Sequence, residues 1–406
     1  MVRVDLKEQL ISLLKRPSSF GPDIDLNNYE LSEPKIIERL DIGDDFTKAS
    51  SRLGLEDKSK LNYVQINESA MYEALRESLR KYNVKVLPLR KALDEFMYVK
   101  DMVWKLVKPD QDKYTAASYL YGGELGYFIY VPSNTNVPIP IYSCLAITSN
   151  NKVQFAHNVI YVDEGSEVQV VTGCLVPHGI KGGLHIGISE FYVGKNSRLT
   201  FTMLHAWSEG IHVRPRTGVR VNAGGEYVNY YVIYSPVASL QTYPTITLGA
   251  DSKASTSSVI AGSGEGIYDV GTKVILAEDN SSVELLSKVV AKDAAEINAR
   301  SDVVAESLGK GHVECLGLLL SPKSKISSIP ALTSKKPGAI LSHEAAIGII
   351  AQEELEYLMS KGFKEDEAKS ILIRGFIDID VKGIPLSVKA EIDRVLDLIA
   401  SNIASG

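Results

Sequence analysis

Apolar residues recur along this chain at two different periods, and the change of period divides it into three stretches. Near the start, Leu6, Leu10, Leu13 and Leu14 fall at helical spacing before Pro17 ends the run. ESAMYEALRESLRKY over 68–82 and LRKALDEFMYVKDMVWKLV over 89–107 repeat that spacing, so residues 1–114 read as an N-terminal helical region. The segment 17–60, rich in Ser, Asp, Pro and Gly, takes no firm assignment.

From about residue 115 the period falls to two, with short runs of Val, Ile, Tyr and Thr between small polar turns. The turns come back in phase around Gly165, Gly194, Gly224, Asp251 and Asp279, and further breaks such as GCLVPHGIKGG fall at about half that interval. A fixed period with two strands per unit is the signature of units that bury their apolar faces only by stacking on one another. An antiparallel sandwich also has evenly spaced strands but does not require turns in phase. The pattern therefore predicts a mainly β protein whose core, residues 115–336, is a β-helix. Its inward-facing sets are Leu199, Phe201 and Met203; Val283 and Leu285; and Val313, Cys315, Gly317 and Leu319.

After Pro337 the spacing returns to helical, giving a C-terminal helical region over 337–406. In its last run, Val388, Ile392, Val395, Leu396, Ile399 and Ile403 share one face, with Ser387 as the expected N-cap. These helices are expected to cover the open end of the solenoid and to leave a surface for a partner.

Composition narrows the function. Lys plus Arg number 44 against 50 Asp plus Glu, a net charge of −6, which leaves no basic footprint for nucleic acid. Hydrophobic residues at 45% with 23% charged are the balance of a folded soluble chain. Charges interrupt the apolar residues of the opening MVRVDLKEQLISLLKRP, no run is long enough for a bilayer, and three separated cysteines form no closed disulfide framework. A cytoplasmic protein is expected. The sequence has no GxxxxGK[ST] loop, GxSxG elbow, HExxH or CxxC. ATP-driven or metal-centred chemistry would need a partner chain or a shared site.

Several stretches are similar to the SufB/SufD family of iron–sulfur cluster assembly proteins: FIYVPSNTNVPIPIY at 128–142, QFAHNVIYVDEGSEVQVVTGCLVP at 154–177, DVGTKV at 269–274, CLGLLL at 315–320, and HEAAIGIIAQEELEYLMSKGFKEDEAKSILIRGFI at 343–377. The resemblance covers roughly residues 85–378 and keeps its motifs in order. It implies a right-handed parallel β-helix between helical regions. It also implies binding of a SufC-type ATPase, pairing with a SufB/SufD-type subunit or with a second copy, sulfur delivery from a donor protein, and a transient iron–sulfur cluster. The chain itself is expected not to be an enzyme.

Residue by residue, the resemblance makes Cys174 the sulfur acceptor, whereas alternation alone makes it a buried small hydrophobe. Cys315 reads as core packing, with a supporting role implied by the family's cysteine in the same strand. Cys144 reads as packing. His343 and Glu344 match the family's His-Glu and become iron or cluster ligand candidates, although neighbours on a regular strand point to opposite faces. Tyr357, Leu358, Arg374, Gly375 and Phe376 fall in the SufC-docking words, and the same apolar positions also suit packing of helix on helix. One departure stands out: where SufB has a cluster-building cysteine, 19 residues before the histidine, this chain has Ser324. That leaves open a purely structural, SufD-like subunit. A carbohydrate-active β-helix enzyme is the remaining alternative, and it lacks the clustered carboxylates it would need.

Overall fold

The computed structural model describes residues 6–32, 35–36, 44–53, 55, 60–72, 77–233, 235–380 and 386–404. Its centre is a parallel β-solenoid of about eight turns, with helices at both ends of the chain. One sheet stacks Ile141–Ala146, Glu167–Leu175, Arg198–Ala206, Glu226–Ile233, Lys253–Gly262, Ser282–Ala291, Lys310–Leu319 and Ile340–Ile349. Glu167, Arg198, Glu226, Lys253, Ser282, Lys310 and Ile340 lie one above the next, so each coil uses 27 to 31 residues, the interval of the sequence turns.

The turns stack because each donates a backbone N–H to the next: Gly165 to Lys195, Asn196 to Ala223, Gly224 to Ala250, Asp251 to Asp279 and Asn280 to Leu308. Gly165 and Gly224 sit at φ +68° and Asn196, Asp251 and Asn280 near +55° to +60°, the left-handed region that Gly, Asn and Asp enter most easily. The recurring G/N/D punctuation is thus a backbone requirement repeated once per coil.

The second sheet runs from Lys85–Pro88 and Tyr127–Val131 through Lys152–Val162 and Gly183–Val193 to Ile267–Leu276, Glu296–Ala305 and Lys325–Ser334. Two of its coils are broken. Arg214–Pro215 separates Ile211–Val213 from Arg216–Val221, and Tyr243–Pro244 separates Ser239–Thr242 from Thr245–Leu248. Proline has no N–H for the ladder, so the wall of the solenoid is interrupted there.

Two apolar layers hold this frame. The lumen is filled by inward residues, including all the sets read from the sequence. A second layer packs the outer face of the first sheet against Phe46, Leu53 and Leu55 on one side and against the C-terminal helices Glu365–Ile377 and Leu386–Ala404 on the other. The predicted face Val388, Ile392, Val395, Leu396, Ile399 and Ile403 is buried here.

Five expectations change. The run read as helix over 89–107 is α-helix only at Leu89–Glu95, followed by a 3-10 turn at Met97–Asp101. Ser69–Tyr72, inside the run read as helix over 68–82, is a strand antiparallel to Leu61–Ile66, which in turn pairs with Ile141–Ala146; among the described residues of that run, Glu77–Arg80 is helix. Ladder partners offered by the solenoid outweigh helix propensity in so short a segment. The chain does not return to helix straight after Pro337 but adds one more strand, Ile340–Ile349, with helix starting at Gln352. The last helix opens at Leu386, so Ser387 lies within its first turn instead of capping it. Finally, the C-terminal helices lie along the side of the solenoid and not over its end. The hairpin 61–72 and Lys85–Pro88 close the N-terminal end, with Tyr63 and Tyr127 ring to ring at 5.6 Å. At the other end Lys325–Ser334 and Ile340–Ile349 are edge strands, mostly exposed.

Candidate functional site

Alternation in Glu167–Leu175 sends Val168, Val170 and Cys174 into the lumen and Val171 and Leu175 to the outer layer. Cys174 is fully buried, and its thiol donates to Met203 Sδ at 3.6 Å on the adjacent coil. Burial, with buried Cys144 adding to it, holds the Cys174 thiol well above the usual range, so the resting group is the neutral thiol. Cys144 lies on the other face of its strand, in the outer layer, as packing would have it.

Cys315 is also buried and also faces the lumen. Its ladder runs Thr172, Met203, Tyr231, Ser258, Ser287 and Cys315, one residue from each coil. The two cysteines are therefore five coils apart, on the order of 24 Å at about 4.8 Å per step. Between them the lumen contains a cavity of about 80 Å³. Its lining includes Met203, His205 and Tyr231 at one end and Ser287, Arg300 and Ser301 at the other, with Pro215 and Pro244 in the broken wall. Each cysteine stands one contact beyond the lining: Cys174 through Met203, and Cys315 through Ser301 Oγ at 3.9 Å. His185 also lines the cavity, and burial lowers the pKa of His185 to about 4 and of His205 to about 3. The alternation alone turns Cys174, Met203 and Cys315 inward, whereas His185, His205 and Tyr231 are not singled out by it. The available signal was the coil repeat, which puts His205 one turn after Cys174.

His343 and Glu344 lie mid-strand in Ile340–Ile349, whose register with Lys310–Leu319 is unbroken. His343 pairs with lumen-facing Val313 and so stands on the lumen side of the open end, while Glu344 points outward; both are exposed. A single chain does not bring them together on one ion. Ser324 occupies a turn before Lys325–Ser334, and its hydroxyl donates to the Ser321 carbonyl at 2.7 Å. Among the described residues, no group of three or more His, Cys, Asp or Glu could hold a metal ion.

The C-terminal candidates divide by exposure. Tyr357 is 62% exposed, and Gly375 faces open space. Leu358 and Phe376 are half-buried, Phe376 against the layer under the last helix. Arg374 is held by three aspartates, Asp397 at 2.6 Å, Asp378 at 2.7 Å and Asp393 at 3.2 Å, so its guanidinium fastens the two last helices together. Met359, Phe363 and Ile371 add exposed apolar surface nearby. Among the described residues, no helix is long and apolar enough to cross a membrane.

The family described as SUF system FeS cluster assembly, SufBD core domain, matches residues 145–376. An iron–sulfur cluster assembly SufBD family protein of Methanothermobacter thermautotrophicus is 35% identical over 396 residues, covering 95% of this chain and 96% of the relative. One from Archaeoglobus fulgidus is 39% identical over 348 residues, covering 85% and 93%. One from Pyrococcus horikoshii is 30% identical over 402 residues, covering 97% and 87%. A family match across more than half the chain, together with relatives matched along nearly their whole length and a solenoid that bears the motifs in order, means that this chain belongs to the SufBD family of iron–sulfur cluster assembly proteins.

Proposed function

We propose that this chain is a cytoplasmic scaffold subunit that accepts sulfur on Cys174 from a donor protein and passes it along the lumen toward Cys315 for building a transient iron–sulfur cluster. SufBD proteins are generally non-catalytic scaffold components that act with SufC. The observation that carries the reading is the lumen cavity lying between the two buried cysteines, one contact from each. A cavity inside the solenoid suits sulfane sulfur, which solvent thiols and oxidants would otherwise consume.

Iron and the cluster are substrate here, not a resident cofactor. His343, on the lumen side of the open coil, and Glu344, on the outer side, are its ligand candidates, with the remaining ligands supplied across an interface. Pairing with a SufB/SufD-type subunit, or with a second copy, is supported by the uncovered edge strands Lys325–Ser334 and Ile340–Ile349. Docking of a SufC-type ATPase is supported by the exposed apolar residues around Tyr357 and Phe363.

Ser324 favours a second reading, a SufD-like subunit that stabilises the complex without holding sulfur or iron. Anaerobic purification with the SufC-type partner, followed by assay of iron and acid-labile sulfide, separates the two. Cluster in the native protein and its loss in Cys174→Ser is the expected result. An intact complex with no iron in either form would establish the supporting role.

A further inference from the structure

Beside Cys174 the lumen holds two hydrogen-bond donors that bind nothing among the described residues. His205 is the partner of Cys174 on the adjacent coil, and both side chains face inward. Trp207 donates its indole N–H to His205 Nδ1 at 2.9 Å. In the neutral ring this leaves the proton on Nε2, and that atom is buried without a partner. One coil further on, Tyr231 meets the His205 ring edge-on at 4.9 Å, and its hydroxyl is likewise buried and unpartnered.

Nearby His185 is held the other way round. Gln154 Nε2 donates to the Ala146 carbonyl at 2.8 Å, so Gln154 Oε1 accepts from His185 Nδ1 at 2.9 Å, and the His185 Nε2 lone pair is left free. His205 is thus set as a donor on the first sheet and His185 as an acceptor on the second, both lining the cavity.

Buried donors without acceptors are rare in folded proteins and call for a missing partner. The Cys174 thiol does not supply it: its hydrogen bond goes to Met203, and neither His205 Nε2 nor the Tyr231 hydroxyl is bonded to its sulfur. One more sulfur would. A sulfur–sulfur bond extends the side chain by about 2 Å and ends in a negatively charged atom that only accepts. We propose that His205 Nε2–H and Tyr231 O–H cradle the terminal sulfur of a persulfide on Cys174, so that the lumen recognises the loaded side chain over the bare thiol. The proposal rests on reading Cys174 as the sulfur acceptor. In the loading step the Cys174 sulfur, as thiolate, attacks a sulfane sulfur of a persulfide or polysulfide. The donor's sulfur–sulfur bond breaks, and its departing thiolate takes the electron pair and the proton that left Cys174. His205 and Tyr231 are positioning residues and transfer no atoms.

The test uses the full chain, anaerobic inorganic polysulfide, and peptide mass spectrometry after alkylation. It reads added sulfur at Cys174 and the half-life of that sulfur once polysulfide is removed. The native protein is expected to gain one sulfur at Cys174. Tyr231→Phe, which keeps the ring, and His205→Leu are each expected to shorten its half-life about tenfold. His205→Gln, whose amide again offers an N–H, should restore most of it. Equal half-lives in native, Tyr231→Phe and His205→Leu proteins would overturn the cradle and leave Cys174 as acceptor. Decay of His205→Gln like that of His205→Leu would reduce His205 to packing. No added sulfur in the native protein would overturn the acceptor reading and the cradle with it.

Discussion

His185 and His205 show how a single side chain makes the solenoid sensitive to pH. Burial lowers their folded pKa values to about 4 and about 3, against about 6.5 in an unfolded chain. Below pH 6.5 the unfolded chain therefore binds protons that the native protein refuses. Stability present above that pH is lost as pH falls toward the folded values. Each ring adds a slope of about 1.4 kcal/mol per pH unit in that window. Urea unfolding between pH 6 and pH 4 is expected to show a slope about that much steeper in the native protein than in His205→Gln. Equal slopes would mean that His205 meets solvent in the native state. The neighbouring Cys174 responds oppositely, since burial disfavours its thiolate, and this is why donors for a charged sulfur matter at this position.

Among the elements, the last coil is the one left incomplete. Ile340 and Ile349 are 62% and 75% exposed, and their strand ends the first sheet with an unpaired edge. Natural proteins rarely leave long apolar edges open without a partner. Ile340→Lys with Ile349→Lys is expected to weaken association with the paired subunit or second copy in sedimentation experiments. Unfolding free energy should change by no more than about 0.5 kcal/mol, because little is buried there in the isolated chain. Association that survives the double substitution would move the pairing surface elsewhere. The C-terminal helices behave differently: their apolar stripe is already used on the flank of the solenoid, and Arg374 with its three aspartates locks the last two together.

Across the whole molecule, one buried carboxylate ties the N-terminal region to the solenoid. Glu190, fully buried, accepts the backbone N–H groups of Trp104, Lys105, Leu106 and Val107 at 2.5 to 3.2 Å, and His157 Nε2 lies 2.8 Å from it. Trp104 at φ +60° turns the loop so that these N–H groups converge. Glu190→Gln places an amide NH2 among those donors and is expected to cost about 2–4 kcal/mol. Hydrogen exchange should show residues 104–107 losing protection before the solenoid strands do. Simultaneous loss throughout would mean that the region and the solenoid unfold as one unit.

Much of this architecture is legible in the chain because it depends on local rules repeated many times. The turn residues recur because every coil needs a left-handed position, the alternation recurs because every strand has one face in the lumen, and Cys174 and Cys315 follow from that alternation. The face of the last helix was equally readable, as a stripe of six apolar residues. What the sequence could not decide were matters of who meets whom. Ser69–Tyr72 is strand and not helix because a neighbouring edge was waiting for it, and the C-terminal helices lie on the flank of the solenoid because the outer face of the first sheet presents an apolar layer that matches their stripe. His343 and Glu344 are adjacent in sequence yet divided between two faces by a regular strand, whereas His205 and Tyr231 meet beside Cys174 only because successive coils stack in register. Period and composition determine the elements and their inward faces, since those are set by each residue's own geometry; the cavity, the unpaired donors and the open edge exist only after long-range stacking has chosen the neighbours.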